Sequence, residues 1–224
     1  QKSRPVFNAL RPVFRTLKFS GDGGVLLLAH QADTKSSKPD PMATVRTFDT
    51  STGEQIGTFE AFGARVNAGS LSPDGQSVLL GMSHHANRTG VEFVDARTGQ
   101  SRDLVIAEGQ PNTVVAGFSH NGRKVAIQRN SFVNIWSFFA DKDGLTGLRG
   151  RRLSGPIPHD LSNRLLPAFS NDDGLLLTWN KIDEVQLWNV ATGQVASSPL
   201  RHAGHVIRAT FGKNNRHVYC IEKS

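Results

Sequence analysis

A single cysteine, Cys220, stands among 224 residues. That excludes an intramolecular disulfide framework and a thiolate metal cluster, and it suits a reducing compartment. No apolar stretch approaches the ~20 residues a membrane-spanning helix needs, so no membrane insertion is expected. The opening, QKSRPVFNALRP, lacks the apolar core of a signal peptide. These absences lead us to expect a cytoplasmic protein, and the initial Gln leads us to expect that the natural N-terminus lies elsewhere. No segment carries convincing 3.6-residue periodicity, which argues against helices. A glycine-rich phosphate loop is missing too, because GDGG at 21–24 reads as a hairpin turn and precedes no helix.

What the chain does contain is punctuation. Its 22 glycines and 10 prolines fall at even intervals, as many short strands would require. Hydrophobic residues make up 38% and charged residues 20%, enough apolar material for a core in a globular chain of this length. Lys and Arg number 26 against 19 Asp and Glu, a net charge of +7. Such a balance favours acidic partners, yet no basic run exceeds two residues, so we read it first as a solubility charge.

The even spacing resolves into a repeat. An apolar residue precedes an Asp/Asn-Gly type turn at Phe19 (FSGDGG), Leu71 (LSPDGQ), Phe118 (FSHNGR), Phe169 (FSNDDG) and Phe211 (FGKNNR), with spacings of 52, 47, 51 and 42 residues. A second anchor follows at Phe48-Asp49, Val94-Asp95, Trp136-Ser137 and Trp188-Asn189. Three of these lead into a Thr-Gly turn, at Thr52-Gly53, Thr98-Gly99 and Thr192-Gly193, while the third repeat carries Asp143-Gly144 in a longer loop. The pattern predicts strands near 13–19, 25–30, 44–49 and 55–60, then 66–71, 77–83, 90–95 and 101–106. It continues with 113–118, 124–129, 132–138 and 148–154, then 165–169, 175–180, 184–190 and 194–200. Continuous apolar runs such as Leu175-Leu176-Leu177 fit strands covered on both faces.

The FSPDG-like turn, the aromatic-Asp or aromatic-Asn dipeptide and the following TGQ together resemble the WD40 repeat family, over nearly the whole chain from about Val13 onward. The resemblance implies an all-β fold, a β-propeller of four-stranded antiparallel blades. The expected blades are 13–60, 64–106, 112–154 and 163–200, with a partial blade at 205–224 and an outer strand of a preceding or closing blade at 4–10. A count of about four and a half leads us to expect part of a larger ring. The family places a His before each first strand and an Asp after the second. His202 lies at the family distance from Phe211 and is expected to be structural; His159 is displaced by one, and Asp183 is the nearest loop Asp. Leu10, Phe62 and Gly109 stand where the other repeats would carry that His, so packing must replace the polar tie there. Trp136 and Trp188 occupy the aromatic position and are expected to pack between blades.

Enzyme signatures do not survive inspection. Gly117-Phe118-Ser119-His120-Asn121 is superficially a nucleophile elbow, but it ends in Asn and lies on a hairpin turn. His202 with His205, and His84 with His85, have metal-like spacing without a third ligand nearby, so no metal or cofactor is expected. Asn87-Arg88-Thr89 fits a glycosylation sequon, which matters only on a secreted chain. Arg149-Gly150-Arg151-Arg152 reads as edge-strand charge that blocks unwanted pairing.

What remains is binding. The resemblance implies that loops between second and third strands, and between blades, share one face. There Lys35, Lys38, Arg88, Arg65 and Arg201 stand against Asp33, Asp40, Glu60, Glu108 and Asp183. We therefore expect a non-catalytic scaffold or sensor that binds a protein partner, or other domains of its own polypeptide, as in bacterial signalling arrays. Arg65, Arg88, Trp179, Lys181 and Arg201 are the expected contacts. The alternatives are a nucleic-acid-associated module using the positive charge and, less favoured, an enzyme with a central-channel site.

Overall fold

The structure, a computed structural model, describes residues 13–31, 43–62, 64–84, 89–106, 114–129, 132–139, 149–152, 157–158, 167–179 and 184–223. Among these residues every regular element is a strand and every sheet is antiparallel. The first sheet is β1 (Val13–Phe19), β2 (Val25–Gln31), β3 (Ala43–Asp49) and β4 (Gln55–Ala61), hydrogen-bonded in chain order. The second is β5 (Ala64–Leu71), β6 (Ser77–His84), β7 (Thr89–Asp95) and β8 (Ser101–Ile106), in the same order. The third contains β9 (Val114–Phe118), β10 (Lys124–Arg129), β11 (Phe132–Phe139) and β12 (Arg149–Arg152), with β13 (Ile157–Pro158) also paired to β11. The fourth is β14 (Ala168–Phe169), β15 (Leu175–Trp179), β16 (Glu184–Asn189) and β17 (Leu200–Arg201). A two-stranded sheet, β18 (His205–Phe211) and β19 (Val218–Lys223), completes the set.

The register is the same in each sheet, and it decides what each side chain faces. Phe19, Leu71, Phe118, Phe169 and Phe211 lie opposite Leu26, Val78, Val125, Leu176 and Val218. One rung further from the turn, Leu27, Leu79, Ala126 and Leu177 point to the other side, and each is 0% exposed. The sheets stack in sequence through these two faces. Leu27 and Ala29 pack on Leu71, Val78 and Leu80 of the second sheet. Leu79 and Phe93 pack on Val125 and Ile127. Ala126 and Ile135 pack on Phe169, Leu176 and Trp188, and Leu177 and Trp179 pack on Val206, Ala209 and Phe211. One interface design is thus used four times. Each fully buried leucine in it contributes roughly 1.5–3 kcal/mol relative to exposure.

Sheets one and two also meet backbone to backbone. Thr47 Oγ1 donates to the Ala96 carbonyl, and a Cβ added at Gly99 would collide with the Thr58 carbonyl. Gly99 also has φ +70°, so only glycine suits the position. The first strands of consecutive sheets run beside one another, β1 by β5, β5 by β9 and β14 by β18. Among the described residues no comparable approach joins the fourth strands, so the sheets fan outward from their first strands.

Most strands fall within a residue or two of their expected places. The fourth strand of the fourth sheet does not. It was expected at 194–200 but pairs only at Leu200–Arg201, with an isolated bridge between Trp188 and Val195. Residues 195–199 are all exposed, and Pro199 has no N–H to give the ladder, so this outer strand has little to hold it. The expected strand at 4–10 lies outside the described residues.

Candidate functional site

In the first, second and fourth sheets the first-to-second and third-to-fourth turns lie at one end, where they bond each other: Thr50 N–H to Gly24 O at 3.1 Å, Ala96 N–H to Gln76 O at 2.9 Å, and Val190 N–H to Gly174 O at 3.0 Å. The motif residues build these turns. In the first-to-second turn a serine hydroxyl donates to the Asp two residues on and accepts the N–H that starts the next strand. Ser20 does so with Asp22 (2.5 Å) and Val25 (2.9 Å), and Ser72 with Asp74 (2.5 Å) and Ser77 (2.9 Å). Ser170 repeats the pattern with Asp172 (2.6 Å) and Leu175 (2.9 Å). In the other turn the residue after the aromatic anchor closes the loop. Asp49 accepts from the Ser51 and Thr52 N–H groups, Asp95 from Arg97 and Thr98, and Asn189 from Ala191 and Thr192. These bonds favour the ionised acid. Asp22, Asp49 and Asp172 are all held below the usual carboxylate range, first by a serine hydroxyl and then by backbone N–H groups.

Neighbouring turns are joined as well. Asp22 N–H donates to Pro73 O at 3.3 Å. Asp173, 2% exposed, accepts from the His120 and Asn121 N–H groups at 2.7 and 2.9 Å, and its carbonyl accepts from Lys124 Nζ at 3.0 Å. Asn171 Nδ2 donates to Gly212 O and Asn215 Oδ1, both at 2.9 Å. Asp173 has φ +58° where the equivalent turns use Gly23, Gly75 and Gly122. It holds a conformation that suits glycine because its carboxylate ties two sheets together. Sequence reading missed this role, although the second Asp of SNDDG, standing where the other repeats have Gly, was the available signal. Between the second and third sheets the same rim opens a pocket of about 220 Å³ lined by Ser72, Pro73, Asp74, Phe93, Phe118 and Asn121. Phe93 and Phe118 meet edge to face across its floor, 6.0 Å between centroids.

The opposite ends of the strands carry two of the five residues expected to bind a partner. Arg65 is exposed near the end of β5, opposite Ser83. Arg201 is exposed on β17, directly opposite Glu184. Trp179 is not on the surface. It is 5% exposed, because it shares the face of Leu177 that the fifth sheet covers. Its indole N–H has no partner among the described residues. Arg88 and Lys181 lie outside the described residues, as do His159 and Asp183; of the expected rim the structure places Arg65 and Arg201, on the second and fourth sheets.

The residues expected to be structural are placed as follows. Trp188 is 8% exposed, and its N–H donates to Thr178 Oγ1 at 2.8 Å inside the core. Trp136 is partly buried against the second-to-third interface. His202 Nδ1 lies 2.5 Å from Glu222 Oε1, tying the approach to β18 onto β19, while its Nε2 is buried without a partner among the described residues. Ser119 is 1% exposed, and its hydroxyl serves Asn121 and the Lys124 N–H, which is turn chemistry and not a presented nucleophile. Among the described residues no three His, Cys, Asp or Glu side chains gather as a metal site would require. Among them, too, no helix is long and apolar enough to cross a membrane.

No protein-family model matches the chain, and no curated protein matches it in sequence. Among solved structures it is similar to a chain of Kuenenia stuttgartiensis hydrazine synthase, with a TM-score of 0.63 and 16% identity. The match covers 97% of this chain and 57% of that one, so this chain spans a little over half its length. At that identity the likeness concerns the fold alone.

Proposed function

We propose that the chain is a run of WD40-type propeller blades serving as a non-catalytic interaction scaffold, within a larger protein or complex. The observation that carries the reading is the repeated interface. Positions buried between sheets, such as Leu71 at 6% and Phe169 at 5%, have an equivalent at the open face of the first sheet, Phe19, at 61%. Leu177 at 0% and Trp179 at 5% likewise correspond to Tyr219 at 62% and Ile221 at 58% on the open face of the fifth. Both end faces therefore have the composition of sheet-to-sheet faces, and in this reading further blades cover them and complete a ring. The partner is a protein, or another domain of the same polypeptide, held at the rim that carries Arg65 and Arg201. The reading takes Arg88 and Lys181 as contacts from their place in the sequence repeat, both lying outside the described residues. Nucleic acid is the alternative, and steep salt dependence of binding is its signature.

The test is quantitative affinity capture with cross-linking mass spectrometry, comparing the chain with a variant carrying Arg65→Ala, Arg88→Ala, Lys181→Ala and Arg201→Ala. The reading predicts cross-links to that rim and loss of the captured protein in the variant. Unchanged capture by the variant would refute the assignment of this rim.

A further inference from the structure

The five sheets leave four gaps between them, and at the turn end three of these are tied shut. One position on the third strand marks the difference. It is Thr47 opposite Leu27, Phe93 opposite Leu79, Ile135 opposite Ala126 and Leu187 opposite Leu177. In the first gap Thr47 reaches the Ala96 carbonyl, and Asp22 N–H reaches Pro73 O. The third and fourth gaps are tied from the later sheet, by the turn position that has positive φ. Asp173 and Asn215 stand there, and their side chains accept from the N–H groups of His120, Asn121 and Asn171.

The second gap has neither device. Phe93 has no hydroxyl to offer the next sheet, Gly122 (φ +71°) has no side chain to reach back, and Pro73 has no N–H to be met. What remains is the pocket of about 220 Å³, floored by Phe93 and Phe118 and lined also by Ser72, Asp74 and Asn121. Its volume falls below the roughly 300–1,000 Å³ of pockets for drug-sized ligands, so one long side chain suits it better than a larger molecule. Phe118 is partly buried and packs on Phe93, which makes the interior apolar and aromatic. Asp74 is exposed, and its Oδ1 alone accepts both the Ser72 hydroxyl and the Gln76 N–H, at 2.5 and 3.0 Å. Its Oδ2 has no partner among the described residues, and no described Lys, Arg or His pairs with it. The turn thus holds a carboxylate in place through one oxygen and leaves the other for something outside the chain, with little ordering left to do on binding.

We propose that this pocket takes a lysine side chain from a partner protein, its methylenes on the aromatic floor and its ammonium at Asp74. An ammonium on a four-carbon stem satisfies both parts of the lining, because aromatic faces and a carboxylate both attract a cation. An acidic group would meet the charge of Asp74. A guanidinium fork binds best to two free carboxylate oxygens, and only one is free here. A free amine gains little from so small a contact, whereas a lysine carried by a protein gains the rest of its binding elsewhere. The pocket lies at the turn ends of the strands, away from the ends that carry Arg65 and Arg201, and stands whether or not that rim binds a partner.

Saturation-transfer NMR of the full chain tests it, using a blocked Gly-Lys-Gly peptide and the same peptide with norleucine, arginine or glutamate at the centre. The proposal expects the lysine peptide to bind most tightly, at millimolar concentration, with its methylene protons receiving the strongest transfer. Asp74→Asn should weaken it at least fivefold. That variant keeps the turn, because Asn121 makes the equivalent bonds to the Ser119 hydroxyl and the Arg123 N–H in the third sheet. Asp22→Asn, the same change beside a closed gap, should alter binding less than twofold. Arg123 is exposed beside Gly122 and opposes a cation, so Arg123→Gln should bind at least as well as the unaltered chain. Circular dichroism confirms that each variant is folded. No transfer to the lysine peptide at millimolar concentration, equal or tighter binding of any of the other three peptides, or an equal loss in Asp22→Asn would overturn the proposal.

Discussion

Phe169 and Phe19 hold the same position in the same kind of hairpin, yet one is 5% exposed and the other 61%. Their strands, partners and turns match, so local sequence does not explain the difference. What differs is the neighbour. Phe169 has the third sheet against it through Ala126 and Ile135, while Phe19 has no sheet before it among the described residues. The contrast teaches that each sheet here is half a unit of stability. Its apolar faces are built for contact on both sides, and the array gains most of its cohesion where one sheet meets the next.

Mutations can break or sharpen that comparison. The largest effect should come from emptying a covered face. Leu177→Ala is expected to cost about 2–5 kcal/mol in urea unfolding, whereas Tyr219→Ala, one sheet on at the equivalent rung, should stay within about 0.5 kcal/mol. Equal losses would mean that the fifth sheet is covered after all. Next comes the tie between turns. Asp173→Ala removes two charge-assisted bonds and keeps a side chain at φ +58°, so a loss of roughly 2–3 kcal/mol is expected. Asp173→Gly relieves the backbone and should lose less. A smaller effect belongs to Thr178→Val, which leaves the Trp188 N–H unpaired in the core at a cost of about 1–3 kcal/mol. Trp179→Phe removes an N–H that bonds no described residue and should cost less than Thr178→Val.

The gentlest probe is pH. The folded-state pKa of Lys18 lies below its unfolded value, so between about 8 and 10.5 the unfolded chain holds more protons and stability rises with pH. Lys18→Met should therefore stabilise the chain at pH 7 and remove that rise; an unchanged profile from pH 8 to 10.5 would contradict it.

How much of this could be read from the sequence follows from where its signals lie. The turns were legible because their chemistry is local. Ser20 with Asp22, or Asp49 with Thr52, needs only a few residues to form, and each turn then fixes the register of two strands. The all-β architecture followed from those turns. Trp179 was misplaced because it was judged by its closeness to a loop. Its parity with Leu177, two residues earlier, puts it on the face that the next sheet covers, and that parity was available in the sequence. The tie made by Asp173 was less accessible, since it spans about fifty residues of chain and depends on how sheets three and four stack. The weak outer strand at 194–200 was overestimated for the opposite reason. Its turn signal is good, but nothing packs on the strand that follows. Of the residues expected to face a partner, Arg65 and Arg201 reach the surface because strand ends at a rim do so by geometry.

Hydroxyl-radical footprinting read by mass spectrometry tests the account most directly, since it reports side-chain cover at equivalent positions in one sample. Phe19 and Tyr219 should oxidise rapidly, and Phe169 and Trp179 should be protected until the chain unfolds. Protection of Phe19 equal to that of Phe169 in the isolated chain would contradict an array of stacked sheets with open ends.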